Sequence, residues 1–176
     1  AMVMGFHPNQ IRPVPFDAEY RLDEKALARL VREDRARGLL PWVVVANAGS
    51  TNTGAVDPLP EIAPFCKRER LWLHVDAAYG WTAILARPGK QLLAGIEEAD
   101  SITLDPHKWF AQTFEAGCLL VRKGDQLQET FAMRPDYLQD TVLEFGEVNY
   151  ADFGIPLSRR FRALKIWLSV QMLGVD

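Results

Sequence analysis

Apolar and polar positions along this chain alternate between the period of a helix and the period of a strand. Apolar residues at helical spacing follow Asp23, a good N-cap, and stop before Gly38, which predicts a helix that ends at Arg37. The unbroken apolar run Trp42–Asn47 predicts a strand that is buried on both faces. The same criteria predict helices over 57–70, around 90–98 and over 155–173, and strands over 71–75, 102–104 and 117–122.

Strands that alternate with helices indicate an α/β fold with a mainly parallel, doubly wound sheet flanked by helices. Residues 1–22 are rich in proline and allow at most a short edge strand near Ile11–Val14. Residues 133–154 show no helical or strand period and are predicted to form a long connection, of a kind that usually carries function.

Two of the apolar runs end in residues that can carry chemistry. The first continues into an acid and small residues, in the order His74-Val75-Asp76-Ala77-Ala78-Tyr79-Gly80. The second continues into a proline and a lysine, in the order Ser101-Ile102-Thr103-Leu104-Asp105-Pro106-His107-Lys108-Trp109. The proline stops the strand, so Lys108 is predicted to lie just past its carboxyl end, where open α/β sheets bind their ligands.

Asp76 and Lys108 are predicted to share one edge of the sheet, because the sequence between them leaves room for one crossover helix between parallel strands. An acid and a lysine at adjacent strand ends are the pair that pyridoxal 5'-phosphate (PLP) chemistry uses. The lysine forms a Schiff base with the cofactor, and the carboxylate keeps the pyridine nitrogen protonated so that the ring accepts electrons. We therefore expect PLP as the cofactor.

The two motifs at this spacing resemble the PLP-dependent group II decarboxylases, the family of aromatic-L-amino-acid decarboxylase. The resemblance runs from about Asp23 to the C-terminus. It implies a PLP-dependent aminotransferase-like (fold type I) large domain, of which residues 1–176 are the C-terminal part, without the N-terminal segment and the C-terminal small domain. It also implies that the full-length protein is a homodimer that decarboxylates an L-amino acid to the corresponding amine through a Schiff base on Lys108.

The resemblance assigns three residues to the cofactor ring. Asp76 pairs with the pyridine nitrogen, and Ala78 packs its small side chain against the ring. Thr51, in the glycine-bounded loop 48–54, lies against the ring as well. Taken alone, that loop reads as a simple turn, and Asp76 as a strand-end cap.

Two neighbours of Lys108 and one distant tyrosine complete the predicted site. The resemblance places His107 close to the cofactor phosphate. Asp105 either lies at the cofactor or caps the turn at Pro106, since a carboxylate is repelled by a phosphate dianion that is not paired elsewhere. Tyr137 is predicted to be catalytic, because a phenol can return a proton to the carbon from which carbon dioxide has left.

Composition narrows the setting of the protein. The 176 residues are 48% hydrophobic and 24% charged, with a formal net charge of −3, which fits one globular unit and gives no electrostatic reason to bind nucleic acid or a membrane. Cys66 and Cys118 are too few for a disulfide framework and show no metal-ligand spacing. Reduced thiols and a cytoplasmic location are therefore expected.

Three questions stay open at this level. The residues that shape a substrate pocket are not identified, so aromatic amino acids, glutamate and diaminobutyrate are all possible substrates. The polypeptide could also be a non-catalytic folded fragment that does not hold PLP alone. A third reading, an aldehyde synthase, is disfavoured by Tyr137, since the resembling family reaches that activity when the loop tyrosine is replaced.

The final predicted helix carries basic residues near its start: Arg159, Arg160, Arg162 and Lys165. They either form a solvated face or help to hold the domain and a dimer together. Ala151 departs from the arginine or lysine that is common at this place in the family.

Overall fold

The computed structural model describes residues 5–132 and 148–174 of the chain. In these residues four strands form one sheet: β1 (Val43–Asn47), β2 (Trp72–Asp76), β3 (Ser101–Leu104) and β4 (Cys118–Val121). They lie side by side in chain order; β1, β2 and β3 are parallel, and β4 runs antiparallel to β3. The prediction of a mainly parallel sheet in an α/β fold is confirmed.

Helices connect and cover these strands. They are α1 (Glu24–Ala36), α2 (Leu59–Glu69), α3 (Arg87–Leu92), α4 (Asp125–Phe131) and α5 (Ala163–Leu173), with 3-10 turns at Pro8–Gln10, Gly80–Leu85, Ile96–Glu98 and Tyr150–Phe153. Asp23 caps α1 as predicted, because its carboxylate accepts hydrogen bonds from the backbone N–H groups of Lys25 (2.9 Å) and Ala26 (3.1 Å). No described helix is both long and apolar enough to cross a lipid bilayer.

The hydrophobic core lies between one face of the sheet and the helices α1 and α2. Alternate residues of β1 and β2 point into it, and its most buried large side chains include Leu59, Ile62, Leu73, Val75 and Leu93. Burying an aliphatic side chain of this size stabilises the fold by about 1.5–3 kcal/mol. The opposite face of β1 is open, since Val45 is 55% exposed. The prediction that this strand is buried on both faces is wrong, because α1 and α2 cover only one face.

A buried carboxylate ties the N-terminal segment to the sheet. Asp57 is only 5% exposed, and its two oxygens accept hydrogen bonds from the backbone N–H groups of Leu22 and Asn47, each at 2.7 Å. These bonds compensate the cost of removing the carboxylate from water. Helix α2 therefore begins at Leu59, two residues later than the predicted start.

Two predicted helices are shorter than expected. The helix predicted around 90–98 is divided, because Gly95 has φ +90° and separates α3 from the 3-10 turn that follows. The helix predicted over 155–173 begins only at Ala163. Ile155 and Phe161 are 89% and 75% exposed, so no packing stabilises a helix before that point.

Three smaller differences lie at the surface. No strand forms near Ile11–Val14, where the described structure has only an isolated bridge between Phe16 and Leu22. The strand predicted over 117–122 is shorter at both ends. Helix α4 was not predicted from the sequence.

Candidate active site

The carboxyl ends of β1, β2 and β3 meet at one edge of the sheet. Asn47 is in register with Asp76, and Asp76 is in register with Thr103. The loop after β1, the turn after β2 and the segment after β3 therefore emerge side by side. This confirms that the two motifs share an edge, at the position where open α/β sheets bind their ligands.

A close contact between two glycines joins the first loop to the turn after β2. A Cβ added at Gly80 would lie 2.3 Å from the carbonyl oxygen of Ala48 and 2.8 Å from the Cα of Gly49. Gly49 itself has φ +93°, which favours glycine. The hydroxyls of Ser50 and Thr53 then close the loop with a hydrogen bond of 2.6 Å. Thr51 lies in this loop and is exposed at the same edge.

Backbone hydrogen bonds fix the geometry around Asp76. The Ala77 N–H donates to Thr103 O (2.9 Å), and the Asp105 N–H donates to Ala78 O (3.2 Å). The Asp76 carboxylate is exposed and accepts a hydrogen bond from the Ala78 N–H at 3.1 Å. Since a carboxylate accepts several hydrogen bonds, capacity remains for a ligand. Ala78 is buried in this turn, with 8% exposure.

Lys108 and Asp105 form an ion pair within one turn. The Lys108 Nζ lies 2.9 Å from Asp105 Oδ2, with side-chain exposures of 39% and 18%. The turn itself is closed by the backbone, because the Lys108 N–H donates to Asp105 O at 3.0 Å. The Asp105 carboxylate is thus paired with the Lys108 amine and does not cap the turn at Pro106. Its contact with a cofactor stays a prediction.

His107 binds the chain on the far side of the same segment. Its Nδ1 lies 2.6 Å from the carbonyl oxygen and 3.0 Å from the backbone nitrogen of Ala116. Phe114 packs edge-on against the ring at 5.1 Å, and the Nε2 atom lies 3.9 Å from Asp105 Oδ2. His107 therefore holds the segment around Lys108 together. Its predicted place near a phosphate is not tested by these contacts.

An aromatic stack links the turn after β2 to Lys108. The rings of Tyr79 and Trp109 lie 5.6 Å apart and 16° from parallel. A second aromatic pair joins the same two segments, since the ring centroids of Trp81 and Phe110 lie 5.2 Å apart. These contacts position the two motifs relative to each other.

Four side chains form a hydrogen-bonded network on the open face of β2 and β3. The Trp72 Nε1–H donates to Ser101 Oγ (2.8 Å), and Ser101 Oγ lies 2.8 Å from His74 Nδ1. Because Ser101 accepts from Trp72, its own proton is free for Nδ1, and the Nε2–H of His74 is left to donate to Thr103 Oγ1 at 3.2 Å. Burial lowers the pKa of His74, and the nearby Asp76 only partly opposes this. No role was predicted for His74; in the structure its imidazole links β2 to β3 beside Asp76.

The basic residues at the start of α5 are not simply solvated. Arg162 pairs with Glu115, and this guanidinium lowers the pKa of the Glu115 carboxyl. Lys165 Nζ donates to the carbonyl oxygens of Thr113 and Glu115. Of the two alternatives for this helix, the described contacts favour the structural one.

Two further residues were named in the sequence analysis. Tyr137 lies outside the described residues. Ala151 lies in the 3-10 turn before α5, where its N–H donates to Asn149 Oδ1 at 3.1 Å.

This mainly parallel α/β sheet, with an aspartate and a lysine where adjacent strands end, has the arrangement expected of a PLP-binding class of protein. Residues 1–176 match the family model described as the pyridoxal-dependent decarboxylase conserved domain, so the chain belongs to the pyridoxal-dependent decarboxylase family. The expected resemblance and the expected cofactor are confirmed at the level of the family.

Several known proteins are similar to this chain. An aromatic-L-amino-acid decarboxylase of Bacillus atrophaeus is 48% identical over 98% of the chain and 36% of its own length. A histidine decarboxylase of Rattus norvegicus is 40% identical over 94% of the chain and 25% of its own length. The solved structure of Oryza sativa TDC with PLP and tryptamine superposes with a TM-score of 0.90 at 34% identity, covering 99% of this chain and 36% of the other. The chain thus spans about a third of the length of such relatives.

The described residues fit PLP at this edge. Lys108 offers a primary amine that is 39% exposed, and Asp76 offers an exposed carboxylate with acceptor capacity left. The amine suits an aldehyde and the carboxylate suits a protonated ring nitrogen. Ala78, with its small side chain, follows Asp76 by two residues.

Proposed function

We propose that the protein is part of an enzyme that uses PLP to decarboxylate an L-amino acid to its amine. One observation carries the proposal: the Lys108 amine and the Asp76 carboxylate emerge at the same edge of the sheet, at the ends of adjacent parallel strands. The family match supports the same reaction class. When bound, PLP supplies a ring that accepts the electrons released as carbon dioxide departs.

Four residues are proposed to receive the cofactor. Lys108 would hold the cofactor covalently through its amine, which lies beside Asp105 in this structure. Asp76 holds the proton on the ring nitrogen, because an anion next to a protonated base stabilises the charged form. Ala78 and Thr51 flank the ring from the turn after β2 and the loop after β1.

Three further residues are proposed to act around the amine. Asp105 keeps Lys108 oriented before attachment, and His107 stands beside it as the residue nearest to the phosphate end. Tyr137 returns a proton to the substrate carbon. That role is supported by the family resemblance of the residues around it.

The substrate is proposed to be an amino acid with an aromatic or imidazole ring, since the similar proteins include aromatic-L-amino-acid and histidine decarboxylases. We further propose that residues 1–176 form the C-terminal part of a large PLP-binding domain and that the full-length protein is a homodimer. The chain covers 36% of the length of the Bacillus atrophaeus relative, which supports its being one part of a larger protein. A cytoplasmic location stays a prediction.

Borohydride trapping tests the attachment site directly. The chain is incubated with PLP, reduced, digested and mapped by mass spectrometry, beside the variants Lys108→Ala and Lys90→Ala. We expect one adduct, on Lys108, that disappears in Lys108→Ala and persists in Lys90→Ala, because Lys90 belongs to α3 and not to the motif that follows β3. An adduct of undiminished yield on another lysine in folded Lys108→Ala contradicts the assignment. Folded wild-type protein without any adduct supports the alternative of a non-catalytic fragment.

A further inference from the structure

Residues 105–117, here called the lysine loop, connect β3 to β4 and carry Lys108. The loop is bonded internally close to the reactive residue: the Ala111 N–H donates to Lys108 O and the Gln112 N–H donates to Pro106 O, each at 3.0 Å. At its far end, Ala116 is bonded to the ring of His107. A displacement of residues 112–116 is therefore transmitted to Lys108 through one or two hydrogen bonds.

One face of α5 is bound to the lysine loop by side-chain hydrogen bonds. Lys165 Nζ donates to Thr113 O at 2.6 Å and to Glu115 O at 2.7 Å. One turn later, Ser169 Oγ lies 3.2 Å from the side-chain oxygen of Gln112. Residues at this spacing lie on one face of a helix. The helix therefore contacts the lysine loop along one side.

Arg162 completes this face at the start of the helix. Its Nε donates to Glu115 Oε1 at 3.0 Å. Arg162, Lys165 and Ser169 together are called the clamp.

The members of the clamp differ in strength. The Arg162 and Glu115 side chains are 37% and 45% exposed, so water screens their ion pair and it contributes little. Lys165 is half-buried, and its charged amine donates hydrogen bonds to two backbone carbonyls. Such charge-assisted bonds are roughly twice as strong as bonds between neutral groups. No described side chain competes for these two carbonyls. Lys165 is therefore the residue whose loss matters most.

We propose that Lys165 is a positioning residue for Lys108. By fixing the carbonyls of Thr113 and Glu115, it keeps the lysine loop closed and the Lys108 amine at the carboxyl edge of the sheet. The inference rests on the proposed function, because the amine needs a fixed position only if it reacts there. The inference means that α5 influences the reactivity of Lys108, although α5 is distant in the sequence and does not contact Lys108 itself.

Two readouts on the same protein test this proposal. Hydrogen exchange followed by mass spectrometry measures the order of the lysine loop, and the rate of borohydride-trapped PLP adduct on Lys108 measures its reactivity. The variants are Lys165→Met, which keeps the chain length without the charge, and Lys165→Arg, which keeps the donors. Lys67→Met, which removes an exposed lysine from α2, is the matched control.

In Lys165→Met we expect exchange in residues 107–116 to rise at least about tenfold while β1 and β2 keep their protection, because the lost bonds are local. We expect the adduct on Lys108 to form about ten- to a hundredfold more slowly, since small misplacements of a reacting group have effects of this size. Lys165→Arg should recover part of both, and Lys67→Met should change neither.

Each contrary result has a separate meaning. Unchanged exchange in residues 107–116 of Lys165→Met overturns the clamp. Raised exchange with an unchanged trapping rate overturns the positioning role while the Lys108 assignment stands. Absence of a wild-type adduct counts against the proposed function of this chain, and the exchange comparison then still decides whether the clamp exists.

A second pair of variants separates charge pairing from general destabilisation. Arg162→Glu places two acids together and should loosen residues 112–116. Adding Glu115→Arg restores an ion pair with its sign reversed and should return the exchange toward the wild-type rate. If the double variant exchanges as fast as the single one, the Arg162 contact plays no part in the clamp.

Discussion

Gly49 and Gly80 position the candidate site by having no side chains. The backbones of the two loops approach each other so closely that a Cβ on either glycine would overlap the backbone of the other loop. This approach sets the loop that carries Thr51 beside the turn that carries Asp76 and Ala78. Packing between two backbones at this distance leaves no flexible side chain that could move aside.

Replacing Gly80 by alanine is therefore expected to destabilise the protein by about 1–3 kcal/mol, the usual cost of forcing extra atoms into a packed site. The new Cβ would lie 2.3 Å from Ala48 O, so the strand ends must separate. Urea denaturation measures the change. Gly124→Ala is the control, since its Cβ would meet nothing within 4 Å and its φ of −62° suits alanine. Equal losses in the two variants would show that the close approach does not matter.

The sequence identified the residues of the site better than their contacts. Asp76 and Lys108 could be placed because apolar runs end at each motif and Pro106 stops a strand. The partner of Asp105 could not, because the direction of its carboxylate depends on the backbone angles of the turn up to Lys108. The close approach of Gly49 to Gly80 could not be predicted either, because it joins two loops that are distant in the sequence.

At the scale of the elements, β2 and β3 are joined on their open face by a polar network. His74 sits at its centre, between Ser101 and Thr103, and it accepts one hydrogen bond and donates another. A neutral imidazole satisfies both partners, whereas a protonated ring has no acceptor left for the Ser101 hydroxyl proton. Protonation of His74 therefore disrupts the contact between the two strands that carry Asp76 and Asp105.

This network gives the free energy of unfolding a defined pH dependence. Burial lowers the pKa of His74 in the folded state, so below about pH 6.5, the ordinary histidine value, the unfolded chain binds more protons. Stability should then fall as the pH drops from about 6.5 toward the lowered pKa, and this contribution should be flat above 6.5. The groups that face His74 are Asp76, Ser101 and Thr103, of which only Asp76 carries charge.

Urea denaturation at a series of pH values, compared between wild type and His74→Gln, isolates this contribution. The difference in unfolding free energy should change across the window below pH 6.5 and stay constant above it. His7→Gln removes a histidine that lies outside the network and should keep the wild-type profile. If the unfolding free energy of His74→Gln depends on pH as the wild-type value does, the network does not contribute to the pH dependence of stability.

Helices that begin with a clear cap were predictable, and the others were not. Asp23 and Gly38 mark both ends of α1, and the structure agrees. Nothing in the sequence shows that residues before Ala163 lack a packing partner, so the final helix was extended too far. Gly95 divides a predicted helix because its positive φ depends on tight packing against Leu59 and Pro60, a contact between distant segments.

At the scale of the whole molecule, one core stabilises the sheet from a single side. Cys66 on α2 lies in this core with 2% exposure, and burial raises the pKa of its thiol to about 12. Cys118 on β4 is half-buried, and burial raises its pKa as well. Both thiols are therefore protonated at neutral pH, and the thiolate is the form that reacts.

Alkylation of Cys66 should report the opening of the whole molecule. At neutral pH we expect native Cys66 to react with iodoacetamide at least about a hundredfold more slowly than in the urea-unfolded chain, because its reaction requires opening of the core. Leu73→Ala should accelerate it, since creating a cavity in a core costs about 2–5 kcal/mol. Mass spectrometry of each cysteine peptide gives the rates. Fast native modification of Cys66, at the rate of the unfolded chain, would mean that α2 opens without the rest.

The arrangement of the sheet followed from the alternation of strands and helices, but its open face did not. A continuous apolar run such as Trp42–Asn47 indicates burial on both sides, yet Val45 is largely exposed. The run carries no information about which elements are present to cover it.

The antiparallel direction of β4 has an entropic consequence for Lys108. A parallel connection would carry the chain to the opposite edge of the sheet, whereas here it leaves at Leu104 and returns at Cys118, paired directly beside it. Strand pairing thus brings the two ends of the lysine loop together, and the entropy of loop closure is lost during folding. A ligand that binds Lys108 does not have to supply that entropy again, so more of its interaction energy remains as affinity.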